Sequence, residues 1–256
     1  MGVLDDIFSA EARDQLPKPY KVGHVTYHPN LFQGSDEWLQ ARRGMLTASQ
    51  MSHIMTPTLK IASSDKARQH LYELLAQRIT GHVEPHYISD DMLRGMADEA
   101  DAVQTYAKHY GEVEHVGFIT NDRWGFTLGY SPDGMVGYDG LVECKSRRQK
   151  YQAQTIVQHV AIGGGLTIPD QYVLQCQTGL LVSERKWMDF ISYCAGMPMA
   201  VIRVHPDDKI HAAIIEAAAA FEERLADALQ SYRDVLASGA ARLIPTERKE
   251  RQEIML

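Results

Sequence analysis

At 256 residues, 45% apolar and 23% charged, the chain has the composition of an ordinary soluble globule and the length of one large mixed domain. No run of about 18 apolar residues occurs, and Asp5 and Asp6 precede any hydrophobic segment, so neither a membrane span nor a signal peptide is expected and a cytoplasmic protein is predicted. Cys144, Cys176 and Cys194 lie far apart with no CxxC pairing, which argues against a zinc ribbon, an iron–sulfur cluster or a disulfide framework, and the net charge of −7 leaves room for a nucleic-acid partner only where positive charge is local.

Residues 1–30, with Pro17, Pro19 and Pro29, read as an irregular N-terminal arm. The segment "SDEWLQARRG" predicts a short helix capped by Ser35 and stopped by Gly44. Thr47 or Ser49 is expected to cap a second helix, and a third runs from Ser64 to Gly81. A fourth spans Asp90 to Tyr110. From Val113 to Lys145 short β-rich runs broken by Gly, Asn and Asp predict one antiparallel or mixed sheet of three strands. A loop with three glycines at 163–165 follows, then a helix from Asp170 to Leu181, strands in "KWMDFISYC" and "MAVIRVH", and a long Ala-rich helix from Asp207 to Leu236. Residues 31–240 are thus expected to form a single domain of α/β class, a central mixed sheet flanked by helices, with 241–256 a charged C-terminal tail.

An acid two residues before a lysine occurs four times, at Glu143/Lys145, Glu184/Lys186, Asp207/Lys209 and Glu247/Lys249. The last three sit in a polar turn, a helix cap and the charged tail. Only the first is embedded in an apolar strand, "LVECK", where alternation sets Leu141, Glu143 and Lys145 on one face and Val142 and Cys144 on the other. Charges in such a place are costly unless paired or bound to a metal, so an ordinary ion pair on a solvated face competes with a functional site. Upstream, Asp133 joins the same face if the hairpin turns through three residues, Tyr138-Asp139-Gly140, with Gly140 left-handed. That register sets Met135 opposite Glu143 and Asp133 opposite Lys145, whereas a two-residue turn at Asp139-Gly140 turns Asp133 away. Two carboxylates and a lysine suit a hard divalent cation such as Mg²⁺ and the hydrolysis of a phosphodiester. On the fourth helix, Met92, Met96, Ala100, Val103, Tyr106 and Tyr110 make one stripe, and of the acids at 90, 91, 98, 99 and 101 only Glu99 falls in it. Glu99 is therefore assigned to the same metal site or to its nucleophilic water.

These residues, together with "GSDEWLQARRGMLTAS", "RGMADEADAVQTYA", "SPDG" followed by "VECK", and "YVLQCQTGLLVSERKWMDFISY", resemble the lambda exonuclease family of YqaJ-type viral recombinases, in the PD-(D/E)xK nuclease superfamily with its restriction-endonuclease-like core. The likeness covers residues 31 to 225. It implies a Mg²⁺-dependent exonuclease, with Mn²⁺ as a substitute and two ions bound, degrading one strand of double-stranded DNA from its 5′ end. It also implies a homotrimeric ring and a single-strand annealing protein as partner. Carried over residue by residue, Asp133, Glu143, Glu99 and the backbone carbonyl of Cys144 would hold metal, Lys145 would be the catalytic lysine, Gln175 would line the site, and Arg42 and Ser49 would hold the terminal 5′-phosphate. Arg42 also offers a bidentate fork for phosphate oxygens, and Ser49 sits where a helix N-terminus would add donors. Trp38, one turn before Arg42, reads as a core residue, and the eleven histidines show no metal spacing. The densest basic cluster, Arg147, Arg148 and Lys150 just after Lys145, is assigned to DNA, although a charge run is ordinarily a solvated face. An endonuclease on the same core and a non-catalytic DNA-end-binding protein are the alternative readings. The first would have no use for the 5′-phosphate residues, and the second none for clustered acids.

Overall fold

The computed structural model describes residues 17–84, 90–160, 167–239 and 242–248, with the backbone alone at 90–92. The glycine loop expected at 163–165, the first 16 residues of the expected arm and residues 249–256 of the tail lie outside the described residues.

Two mixed sheets carry the structure. The first has the order β1-β2-β4-β5-β3, built from β1 (Tyr20–Val22), β2 (Val25–His28), β3 (Leu46–Thr47), β4 (Phe118–Asn121) and β5 (Leu128–Tyr130). The second runs β6-β7-β8-β9, from β6 (Gly134–Val136), β7 (Gly140–Ser146), β8 (Trp187–Tyr193) and β9 (Ala200–Val204). In it β7 and β8 are parallel and the outer pairs antiparallel. The α/β class and mixed pairing are as expected, but the strands between Val113 and Lys145 do not form one sheet. Pro132 lies between β5 and β6, where the chain passes from the first sheet to the second. Among the described residues the helices are α1 (Asp36–Arg42), α2 (Met51–Ile54), α3 (Asp65–Thr80), α4 (Asp90–His109), α5 (Gln149–Thr155), α6 (Asp170–Ser183) and α7 (Asp208–Ser238).

The capping chemistry forms as the sequence predicts. The hydroxyls of Ser35 and Ser64 accept from the Trp38 and Ala67 N–H groups, and the Asp207 carboxylate accepts from Lys209 and Ile210. Gly44 and Gly81 end their helices with φ of +64° and +67°, conformations that favour glycine. The arm is a correction. Its described part contains β1 and β2, which pair with each other and onto β4, and Val25 and Tyr27 are buried. Alternation of Val25 and Tyr27 with Thr26 and His28 gives that strand an inner face despite the flanking prolines.

The core is centred on α6, whose Leu174, Cys176, Leu180 and Val182 are buried between the first sheet and α7. Each such side chain contributes about 1.5–3 kcal/mol by leaving water. Gly179 lets this helix approach β5: a Cβ there would lie 2.8 Å from Tyr130 Cζ. On the other side of the second sheet, Ala102 and Tyr106 of α4 pack on Val142, Cys144 and Ile191. Tyr106 donates to Asp189 at 2.6 Å, and Arg203 grips the same carboxylate with two bonds of 2.8 Å. These contacts fix α4 across β7. Among the described residues no helix is long and apolar enough to cross a membrane.

Candidate active site

The hairpin β6–β7 positions the acidic centre. Its observed pairs are Gly134 with Val142, Met135 with Leu141 and Val136 with Gly140. The turn does hold three residues, but they are Gly137-Tyr138-Asp139, one earlier than expected, and Gly137 rather than Gly140 is left-handed at φ +52°. Gly140 is a strand residue because the Trp187 ring occupies the place of a side chain, 2.2 Å from where a Cβ would stand. Moving the turn by one shifts the register by two and keeps the faces, so Asp133 still shares a face with Glu143 but stands opposite it instead of opposite Lys145.

Glu143, only 1% exposed, receives three side-chain donors. Lys145 Nζ and Gln175 Nε2 donate to Oε1, and Tyr130 Oη donates to Oε2 at 2.8 Å. Asp133 accepts the Cys144 backbone N–H, and Glu99 lines the same cleft beside it. Burial, followed by repulsion from Glu143 and Glu99, pushes Asp133 well above the usual carboxylate range. Burial and then Glu143 also raise Glu99. Burial alone would lower Lys145, but Glu143 and Asp133 outweigh it and hold the ammonium protonated. Glu99, Asp133, Glu143, Lys145 and Gln175 are therefore together.

Among the described residues no three His, Cys, Asp or Glu side chains stand in a ready-made metal-binding arrangement. The donor chemistry nevertheless fits a hard cation: Glu99 and Asp133 line one cleft, Glu143 repels both, a single ammonium stands against the three, and burial and then that repulsion drive Glu99 and Asp133 toward protonation. A divalent cation would relieve that repulsion.

The stripe expected on α4 is corrected. Met96 and Tyr110 are exposed, at 40% and 61%, while Ala102 and Tyr106 are fully buried. The inner face is turned toward Asp98, so Asp98 as well as Glu99 looks inward, and Ser146 donates to it. Met92 and the side chains of Asp90 and Asp91 lie outside the described residues. The helix packs on a small patch of the inner strands β7 and β8 rather than on a broad core, and a 100° stripe drawn through large apolar residues therefore picks some that face water.

Arg42 sits on α1, partly buried, with its guanidinium 4.0 Å above the Trp38 ring. It donates to the hydroxyls of Ser131 and Thr47, both at 3.2 Å. Burial lowers its pKa to about 10. Among the described residues no ion pair to a carboxylate is recorded for it. Trp38, expected in the core, is a platform under Arg42 whose Nε1 donates to Ser131 at 2.8 Å. Thr47, not Ser49, caps the turn after β3, and its N–H and hydroxyl both donate to Gln50 Oε1. Ser49, two residues on, is exposed within that short 3₁₀ turn at Ala48–Gln50. No contact joins Ser49 to Arg42 among the bonds of the described residues.

The basic cluster divides. Arg147 is buried, donates to Tyr172 Oη at 2.6 Å, and lies 5.1 and 5.3 Å from the Tyr151 and Tyr172 rings. Arg148 precedes α5, and Lys150 stands on it, exposed, with its ammonium 4.7 Å from the Tyr151 ring. Arg94, Arg147, Arg148 and Lys150 line one cleft beside Asp98. Sequence reasoning missed Tyr130, Ser131, Asp98 and Tyr172, whose partners come from distant strands and helices, and it read Thr47 as a helix cap rather than a partner of Arg42.

An acid ahead of a hairpin, Glu-x-Lys after it and an acid on the helix packed across the same sheet define a PD-(D/E)xK-type nuclease fold. The model of the YqaJ-like viral recombinase domain matches residues 37–186. The chain belongs to that family. Its structure is similar to that of an alkaline exonuclease from Laribacter hongkongensis, at 30% identity and a TM-score of 0.69, covering 80% of this chain and 100% of that one. The complex of that exonuclease with dAMP matches at 30% identity, a TM-score of 0.70 and the same coverage of 80% and 100%. No curated protein matches the sequence.

Proposed function

We propose that the protein is a Mg²⁺-dependent exonuclease that degrades one strand of linear double-stranded DNA from its 5′ end to 5′ mononucleotides, in phage-type recombination. The observation that carries this reading is the convergence of Glu99, Asp133 and Glu143 on Lys145 and Gln175. It is supported by membership of the viral recombinase family and by the activity of the Laribacter relative, an exonuclease that also binds the mononucleotide dAMP. A cation held by Asp133, Glu143, Glu99 and the Cys144 carbonyl would polarise the phosphodiester and lower the pKa of a bound water. Two such ions are part of the proposal, with Mn²⁺ able to replace Mg²⁺.

The chain's own residues do the rest. Lys145, kept protonated by Glu143, faces the charge that grows on the phosphoryl oxygens, and Gln175 holds Glu143 in place from α6. A water oxygen bonds to phosphorus, the P–O3′ bond breaks, and the 3′ oxygen takes up a proton. The released unit is a 5′ mononucleotide, and the next nucleotide carries a new 5′-phosphate. Arg42, a half-buried cation with no ion pair to a carboxylate among the described residues, suits that terminal dianion, and Ser49 is proposed as a second donor to it. Each cut then recreates the group that Arg42 recognises, which favours repeated cutting from one end. Arg147, Arg148 and Lys150 would carry the backbone of the duplex. The partners proposed are two further copies in a homotrimeric ring and a single-strand annealing protein, in the host cytoplasm. A ring reconciles a net charge of −7 with DNA binding, since topology replaces tight contact.

The test is digestion of linear and circular duplexes with each strand end-labelled, in Mg²⁺ and in EDTA. Loss of 5′ label from linear DNA alone, and only with metal, supports the reading. Cleavage of circular DNA would replace it with an endonuclease, and binding of ends without cleavage would make it a non-catalytic protein.

A further inference from the structure

Glu143 is held by three donors of unequal rigidity. Lys145 and Gln175 are partly exposed and reach it with long side chains, both on Oε1. Tyr130 is different: it is 1% exposed, it ends β5 in the first sheet, and it reaches across to β7 of the second to donate to Oε2 at 2.8 Å. Its ring is fitted against Gly179 of α6, where any Cβ would come within 2.8 Å of Cζ and 2.9 Å of Cε1. The backbone of Tyr130 is fixed as well, paired with Ile119. A carboxylate on a short rotatable stem is thus tied at one oxygen to a buried, closely packed side chain on a paired strand, while its other oxygen takes Lys145 and Gln175.

We propose that Tyr130 is the positioning residue of Glu143: its hydroxyl fixes Oε2 and with it the orientation in which the carboxylate is offered to the catalytic cation. This rests on the metal-dependent nuclease reading above. Partners of a ligand's second atom set its orientation, and removing them weakens metal affinity or activity by about 10–100-fold.

Tyr130→Phe removes the hydroxyl and keeps the ring in its Gly179 notch. Mn²⁺ binding to the full chain without DNA, followed by calorimetry, is expected to weaken about 10-fold or more. In cleavage assays the Mg²⁺ concentration for half-maximal rate should rise in proportion, excess Mg²⁺ should restore kcat to within a few fold, and KM for DNA ends should not move. The unfolding midpoint in EDTA checks that the variant is folded. A folded Tyr130→Phe with wild-type Mn²⁺ affinity overturns the proposal, and so does a kcat defect that saturating metal leaves in place. If the wild-type chain binds no Mn²⁺ and cuts no DNA, the nuclease reading itself has failed. Wild-type binding with an unaffected variant sinks the role of Tyr130 alone.

Discussion

Replacing Arg42 by alanine tests end recognition apart from catalysis. The guanidinium has five N–H donors, and two are taken by the hydroxyls of Ser131 and Thr47, so up to three remain for an anion. Stacking at 4.0 Å on Trp38 holds the plane of the fork, and burial without a recorded acidic partner leaves it poorly solvated. A charge-assisted hydrogen bond contributes about 1.5–3 kcal/mol, and each 1.36 kcal/mol is about tenfold in rate. Losing one such contact to a terminal phosphate should therefore reduce kcat/KM on 5′-phosphorylated ends by roughly 10- to 150-fold. On 5′-hydroxyl ends the contact is absent already, and the variant should differ from wild type by only a few fold. The assay is the ratio of initial rates on the two substrates, for both proteins, at one fixed salt concentration, because phosphate contacts are screened. Wild type should prefer the phosphorylated end and Arg42→Ala should lose that preference. An unchanged ratio would refute the assignment, make Arg42 structural, and move the terminal phosphate to the cleft of Arg94, Arg147 and Arg148.

Asp133→Ala and Glu143→Ala should each abolish cleavage while leaving duplex-end binding within a few fold in a gel-shift assay, and full activity in either would remove that acid from the site. Asp133→Asn should unfold at a higher temperature than wild type in EDTA, since it removes a carboxyl whose ionisation burial and then Glu143 and Glu99 oppose, and should lose the extra stability that Mg²⁺ confers; a lower midpoint in EDTA would contradict that cost. Gly140→Ala forces a Cβ to 2.2 Å from the Trp187 ring, an overpacking worth about 1–3 kcal/mol, or roughly 2–10 °C in unfolding midpoint. A midpoint unchanged by calorimetry would mean that the hairpin register is other than the one described.

Local rules carried the sequence reading as far as local rules reach. Ser35, Ser64, Asp207, Gly44 and Gly81 were legible as helix ends because a cap is decided within four residues of itself. The shared face of Asp133 and Glu143 was legible too, since parity survives an error of one in the turn. The turn itself was misplaced because Gly137 and Gly140 look alike in sequence, and only Trp187, 47 positions beyond Gly140, decides which must lie in the strand. The division into two sheets was hidden for a related reason: β5 and β6 are separated by three residues, yet β6 pairs with β7 and β5 with β3 and β4. The helix after Lys145 was also unforeseen, since "SRRQKYQAQ" offers neither a strong cap nor an apolar stripe.

The four residues Tyr130, Ser131, Pro132 and Asp133 show why so much depends on that crossing between sheets. Tyr130 donates to Glu143, Ser131 accepts from both Trp38 and Arg42, the Pro132 carbonyl accepts from Gln33, and Asp133 accepts from Cys144. Strict alternation would set Tyr130 and Asp133 on opposite faces, but the chain leaves β5 after Tyr130 and enters β6 only at Gly134, so this irregular link serves the acidic centre with its first and last residues and the arginine pocket with its second. The distance between scissile phosphate and terminal phosphate is fixed in DNA, and a single rigid segment linking the two pockets fixes the matching distance in the protein. On the proposed function, tethering by Tyr130 on one side and Ser131 on the other would couple end recognition to cleavage through the backbone, and Ser131→Ala should loosen the Arg42 fork while leaving Glu143 in place. The expected signature is a lowered 5′-phosphate preference at unchanged Mg²⁺ dependence, the reverse of Tyr130→Phe. If both variants altered both properties alike, the two pockets would form one site and the segment would not be their divider.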